Sequence, residues 1–153
     1  MNKASKLFVV IASMILAACQ PQSGDDQGAE IEFLNMPGAE NLNRPFSTAV
    51  RVDNMLYLSG ALGIVRGKLA EGGTGPETTQ ALENIKNNLE ANGSSLGQVV
   101  KCTVFLADIA DFGAMNAEYV KAFPENPPAR SAMAVAGLAL NAAVEIECMA
   151  WVE

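Results

Sequence analysis

Between Pro127 and Glu147 the chain runs PPARSAMAVAGLALNAAVEIE, with one arginine, two glutamates spaced two apart, and otherwise mostly small or apolar residues. Such a segment is a costly place for a charge, because an ion taken out of water needs a partner of opposite sign. Pro127 and Pro128 stiffen the approach and disfavour helix just before them, so Arg130 leaves a fixed turn and enters an extended stretch. A guanidinium stays protonated and presents a planar donor fork that fits a carboxylate bidentately. Arg130 therefore reads as a clamp for an anion, and Glu145 as the group that handles a proton or a water. A plainer role stands beside this one: an Arg–Glu ion pair that ties two strands together.

Composition narrows the chemistry. No histidine occurs anywhere, which removes a Ser-His triad, a Cys-His pair and any His-bearing metal site. Besides Cys19, the chain has only Cys102 and Cys148, far apart and without CxxC spacing. Each lies in an apolar, strand-like run, where a buried inert thiol is the default, while an oxidising compartment would permit a disulfide. The formal charge is −7, with no basic stripe to meet phosphates, so no nucleic-acid partner is expected. An anionic small substrate must then be drawn by a local cation rather than by the overall field, which again points to Arg130.

At 153 residues the chain holds one domain with room for a real core. Its first 18 residues stand apart. Lys3 and Lys6 precede an apolar run, Leu7 to Ala18, that is too short to span a bilayer and suits a signal peptide. The run ends in Leu16-Ala17-Ala18-Cys19, which resembles the bacterial lipobox, so Cys19 is the expected lipidation site. Gln20 is not the aspartate that tends to retain lipoproteins in the inner membrane, so the expected address is the outer membrane facing the periplasm. Loss of the two lysines with the signal would make the remainder −7 − 2 = −9. Residues 19–31 read as a polar tether and residues 32–153 as the folded domain, held to the membrane by lipid alone.

The rest of the chain must position the clamp. IEFL is a possible short strand, and Thr48 to Leu58 reads as a hairpin turning at Asp53-Asn54. Leu62 to Leu69 can supply a further strand. Thr74 with Glu77 forms a candidate capping box for a helix to about Asn92, with Leu82, Ile85 and Leu89 inward and Asn92-Gly93 as the stop. Val99 to Ala107 is a strand by its β-branched and aromatic content. Asp111 then caps a second helix whose Phe112, Met115, Tyr119 and Phe123 would cover a sheet. Asn116 falls on that helix as an ordinary exposed polar residue. Ser131 to Leu138 and Ala143 to Val152 finish as strands, the latter with Glu145 and Glu147 on one face. The order implies an α+β layer, a mixed sheet with two helices on one face. Small residues such as Ala132, Ala134 and Ala136 are expected on the other face, which would call for cover by another subunit.

Four ordered pieces carry a family resemblance: PFSTAVRVDNMLYLSG, ALENIKNNLEANG, VVKCTVFLADIADFGAMN, and PPARS followed by VEIE. Over roughly Asn35 to Val152 the chain resembles the Rid (YjgF-like) family of enamine/imine deaminases. The resemblance implies a chorismate-mutase-like protomer, a homotrimer with clefts between subunits, and hydrolysis of 2-imino acids and their 2-enamino tautomers to keto acid and ammonium. It implies neither cofactor nor metal. Carried over by position, the arginine that grips the substrate carboxylate falls on Arg130 and the glutamate associated with water on Glu145. Cleft positions fall on Ser59, Gly60 and Asn116. Two positions depart from the pattern: a frequent tyrosine is Phe46, and a frequent cysteine two after the arginine is Ala132. Export is also unexpected for substrates of cytoplasmic origin. An alternative of another class is therefore an exported, non-catalytic binder of small carboxylates, or an interaction protein, on the same trimeric scaffold.

Overall fold

The computed structural model describes residues 28–36 and 44–153. The expected signal peptide, Cys19 and most of the tether lie outside these residues. Strand β1 (Ile31–Leu34) pairs with β2 (Ala49–Val52), which turns back into β3 (Met55–Leu58). Asp53 holds a positive φ of 50° at that turn, the hairpin expected at Asp53-Asn54. Next come β4 (Ala61–Leu62), β5 (Ile64–Val65), β6 (Lys68–Leu69) and helix α1 (Thr74–Ala91). The chain continues through β7 (Val99–Leu106), α2 (Phe112–Ala122), β8 (Ala129–Ala134) and β9 (Val144–Trp151). The main sheet has the order β1-β2-β3-β9-β7-β8, with β4 also paired to β9. Only the β7–β8 pair in it is parallel, and α2 is its crossover. This is the expected α+β layer with two helices on one face.

The core follows from alternation. On β9, Val144, Ile146, Cys148 and Ala150 are buried, whereas Glu145, Glu147, Met149 and Trp151 point to the open face. Cys102, Val104 and Leu106 of β7 meet them from the next strand. Ala81, Leu82, Ile85 and Leu89 of α1 and Met115, Tyr119 and Phe123 from the second helical segment close the core from above. A fully buried Leu or Ile of this kind contributes about 1.5–3 kcal/mol.

Several local expectations change. Thr74 and Glu77 do not form a capping box. The Thr74 hydroxyl donates to Asp111 Oδ2 at 2.7 Å, and Glu77 Oε2 accepts from the Ala143 amide at 2.8 Å. These two side chains bind the start of α1 to α2 and β9 instead, because both are buried against those elements. Leu62 to Leu69 is not one strand. Asn84 of α1 donates to the carbonyls of Leu62 in β4 and Ile64 in β5, and Arg66-Gly67 turns the rest into a β5–β6 hairpin.

The open face also differs in composition. In-register pairing of β8 with β7 sets Arg130 beside Cys102 and Ala132 beside Val104. Ala132 therefore packs against the core, not on the open face, and Ala136 lies beyond the strand. What the open face presents is larger: Phe33, Tyr57, Met133, Met149 and Trp151 are all exposed.

Cys102 and Cys148 are direct partners across β7 and β9, with their Cα atoms 4.1 Å apart, and they form a disulfide. The default of two inert thiols is thereby overturned. Both sulfurs project from neighbouring strands into the same helix-covered layer, which separate readings of the two strands could not reveal.

Candidate active site

The guanidinium of Arg130 is half-buried beneath α2. Its Nη2 donates to Asn116 Oδ1 at 2.8 Å, and Nη1 lies 4.0 Å from Met115 Sδ. The central carbon sits 4.5 Å from the Tyr119 ring centroid and 5.6 Å from that of Phe112. Phe112, Met115, Asn116 and Tyr119 occupy one helical stripe, so a single face of α2 holds the cation. Asn116 is a partner of the clamp and not a bystander on the helix surface. The Tyr119 ring is buried, and burial raises its phenol pKa while the nearby Arg130 charge opposes the rise.

None of those partners is an anion. Among the described residues the ion pairs are Arg51–Glu32, Lys86–Glu83 and Lys121–Glu118. The Arg–Glu pair across strands is Arg51–Glu32, between β2 and β1; among the described residues, Arg130 thus has no glutamate tying its strand to another. The register explains why. Arg130 aligns with Cys102 on the helix side of β7, whereas Glu145 aligns with Phe105 on the open side. Two strand spacings, about 10 Å, and opposite faces of the sheet separate them. Within one protomer Arg130 and Glu145 therefore have separate surroundings.

Around Glu145, β3 and β4 both pair with β9, and Ser59-Gly60 bridges the gap between them. A Cβ on Gly60 would overlap Glu145 Oε1, so the glycine leaves room for the carboxylate. Burial first, and the like charge of Glu147 second, hold the Glu145 carboxyl above its ordinary pKa. Ser59 donates to the Ser47 carbonyl at 2.7 Å and thereby fixes the approach of residues 44–47. Phe46, Ser59 and Gly60 share the wall of a cleft of about 460 Å³. Phe46 is 54% exposed at that wall.

Residues that the sequence reading passed over build this wall. Asn84 holds the carbonyls of Leu62 and Ile64, Asn88 donates to the Thr48 carbonyl at 3.0 Å, and Asn92 donates to Asn88. Three asparagines four apart on one helix were the available signal, since asparagine is a poor helix former and seeks backbone partners. Arg44 also lines the cleft.

Gly60→Ala should leave the fold intact, because the atom in its way is the end of a flexible side chain. The Glu145 carboxylate would be displaced, and a displacement of about 1 Å costs on the order of 10²-fold in rate. Thermal unfolding together with turnover checks this; a large fall in Tm would assign Gly60 to stability instead.

The profile of the family described as Endoribonuclease L-PSP matches residues 38–152. Over 122 residues the chain is 44% identical to a human protein named 2-iminobutanoate/2-iminopropanoate deaminase, covering 78% of this chain and 87% of that protein. It is 44% identical over 108 residues to Reactive Intermediate Deaminase A, chloroplastic, of Arabidopsis thaliana, covering 69% of this chain and 58% of the plant protein. The chain thus spans little more than half the length of that plant relative. The solved structure of RidA from the Antarctic bacterium Psychrobacter sp. PAMC 21119 superposes with a TM-score of 0.72 at 37% identity, over 79% of this chain and 99% of that one.

Proposed function

Since this chain belongs to the endoribonuclease L-PSP family, the Rid family of its sequence motifs, we propose that it is a hydrolytic deaminase of 2-imino and 2-enamino acids. The observation that carries the proposal is the half-buried Arg130 guanidinium, held by an amide oxygen, a thioether and two rings, and ion-paired to no carboxylate among the described residues. A cation so placed is ready for a substrate carboxylate. The human relative is named 2-iminobutanoate/2-iminopropanoate deaminase, and the plant relative is named a reactive intermediate deaminase.

The surroundings of Arg130 and of Glu145 are half-sites that need a second copy to meet. The exposed Phe33, Tyr57, Met133, Met149 and Trp151 on the sheet's open face support association of copies there. A homotrimer then sets Arg130 and Asn116 of one subunit opposite Glu145, Ser59, Gly60 and Phe46 of the next. Arg130 binds the carboxylate of 2-iminopropionate, the imine tautomer of 2-aminoacrylate, in its protonated iminium form. A water adds to C2, its oxygen bonding there as the C=N pair moves to nitrogen, and Glu145 takes the water's proton. Returned to the amine, that proton makes it a leaving group. The C–N bond breaks as the new hydroxyl gives its proton to Glu145 and becomes the keto oxygen; ammonia departs, takes up that proton as ammonium, and the keto acid remains.

Release of ammonium from imino acids generated by an amino-acid oxidase, measured with the purified chain, tests this proposal. No acceleration over the spontaneous rate would refute it. A second reading, a non-catalytic carboxylate binder, draws on the missing hydroxyl at the exposed Phe46; binding of pyruvate without ammonium release would favour it. RNA cleavage, the activity in the family's description, finds little support in a chain of net charge −7 without histidine.

The raised pKa of Glu145 has a consequence for rate. A base must be ionised to accept a proton, so kcat/KM should rise with pH through that pKa. Glu147→Gln removes the smaller of the two causes and should move this limb to lower pH. Glu145→Gln should abolish the limb and cost about 10²–10⁴-fold in rate. A pH–rate profile unchanged by either substitution would make Glu145 structural.

Export and lipidation at Cys19 belong to the same proposal, with an outer-membrane anchor facing the periplasm. The Cys102–Cys148 disulfide supports an oxidising address, because such bonds persist in exported proteins and are rare in the cytosol.

A further inference from the structure

The wall of the cleft carries polar groups that the proposed reaction leaves unused. Arg44 stands there with Phe46, Ser59 and Gly60, and Asn87 of α1 lines the same space. Asn84 and Asn88 have their amides committed to backbone carbonyls, so they shape the wall. Arg44 and Asn87 make no side-chain hydrogen bond or ion pair among the described residues. A cation and a free amide donor thus face a cleft of about 460 Å³.

Size and charge then decide what they are for. A three-carbon imino acid displaces only on the order of 100 Å³, at roughly 30 Å³ for each water it replaces. The cleft has room for a longer acid. A chain of net charge −7 repels dianions, so a second anionic group would enter only where a local cation outweighs that field. Arg44 supplies such a cation on the wall it shares with Gly60, the residue that the Glu145 carboxylate packs against.

We propose that Arg44, assisted by Asn87, is a specificity-determining residue that binds a second carboxylate, and that the preferred substrates are dicarboxylic 2-imino acids. This inference rests on the deaminase reading. In the reaction sequence, the supplier would be an enzyme that oxidises the Cα–N bond of an acidic amino acid, and the product would be a keto diacid.

The test compares iminosuccinate, made in situ from aspartate by an aspartate oxidase, with 2-iminopropionate made from alanine. The wild-type chain should prefer iminosuccinate in kcat/KM by tenfold or more. Arg44→Gln should remove that preference, mainly through KM, while activity on 2-iminopropionate stays within twofold. Equal effects on both substrates, or no wild-type preference, would overturn the inference and leave the deaminase reading standing. If neither imine is hydrolysed, calorimetry with oxaloacetate and pyruvate still decides. Tighter binding of oxaloacetate that is lost in Arg44→Gln supports the second-carboxylate site, and equal binding refutes it.

Discussion

Arg130→Ala should lower kcat/KM on 2-iminopropionate by about 10²–10³-fold while leaving the chain folded and associated. The magnitude comes from the interaction removed. A charge-assisted, bidentate contact to a carboxylate in a partly desolvated site is worth about 3–4 kcal/mol, and every 1.4 kcal/mol is tenfold. The loss should appear largely in KM, because the carboxylate is gripped equally in the ground and transition states. Stability should hold, since Arg130 has no charged partner to strand among the described residues; its contacts there are Asn116, Met115 and two ring faces. Arg130→Lys should recover little. An ammonium keeps the charge but lacks the fork that can hold Asn116 and a carboxylate together. Full activity of the alanine variant in its native assembly would refute the clamp.

Cys102→Ala/Cys148→Ala should have the largest effect on stability. The bond closes a loop with a sequence separation of 46, for which loop-closure entropy gives about 4 kcal/mol. For a domain of this size that is a fall in Tm on the order of 10–20 °C. The sulfurs are buried, with exposures of 0% and 2%, so a mild reductant should act slowly on the native protein and quickly on the unfolded one. Scanning calorimetry of both forms, with thiol counting on each, checks the expectation. Equal Tm values would show that strand pairing alone holds β7 to β9. The substitution should leave substrate preference untouched, because the disulfide faces the helices and Glu145 the open side.

Much of this protein could be read without coordinates because the relevant forces are local. Period-two alternation placed Glu145 and Glu147 on one face of the last strand, and the Asn92-Gly93 stop ended α1 where a positive φ at Gly93 ends it. Phe112, Met115 and Tyr119 declared one helical stripe by spacing alone. The lone arginine among apolar neighbours singled out a side chain that the fold half-buries under α2, because charge is expensive there.

What stayed hidden depends on which strand lies beside which. Pairing β8 in parallel with β7 turned Ala132 into the core and put Arg130 on the opposite face from Glu145. The same geometry joined Cys102 to Cys148, and packing of α1 made Asn84 and Asn88 the supports of the cleft. Residue type and spacing determined that this chain would carry a clamp, a carboxylate and two helices over a sheet. Register, which is set by burial summed over many distant residues, decided that Arg130 and Glu145 stand on opposite faces of the sheet within one protomer.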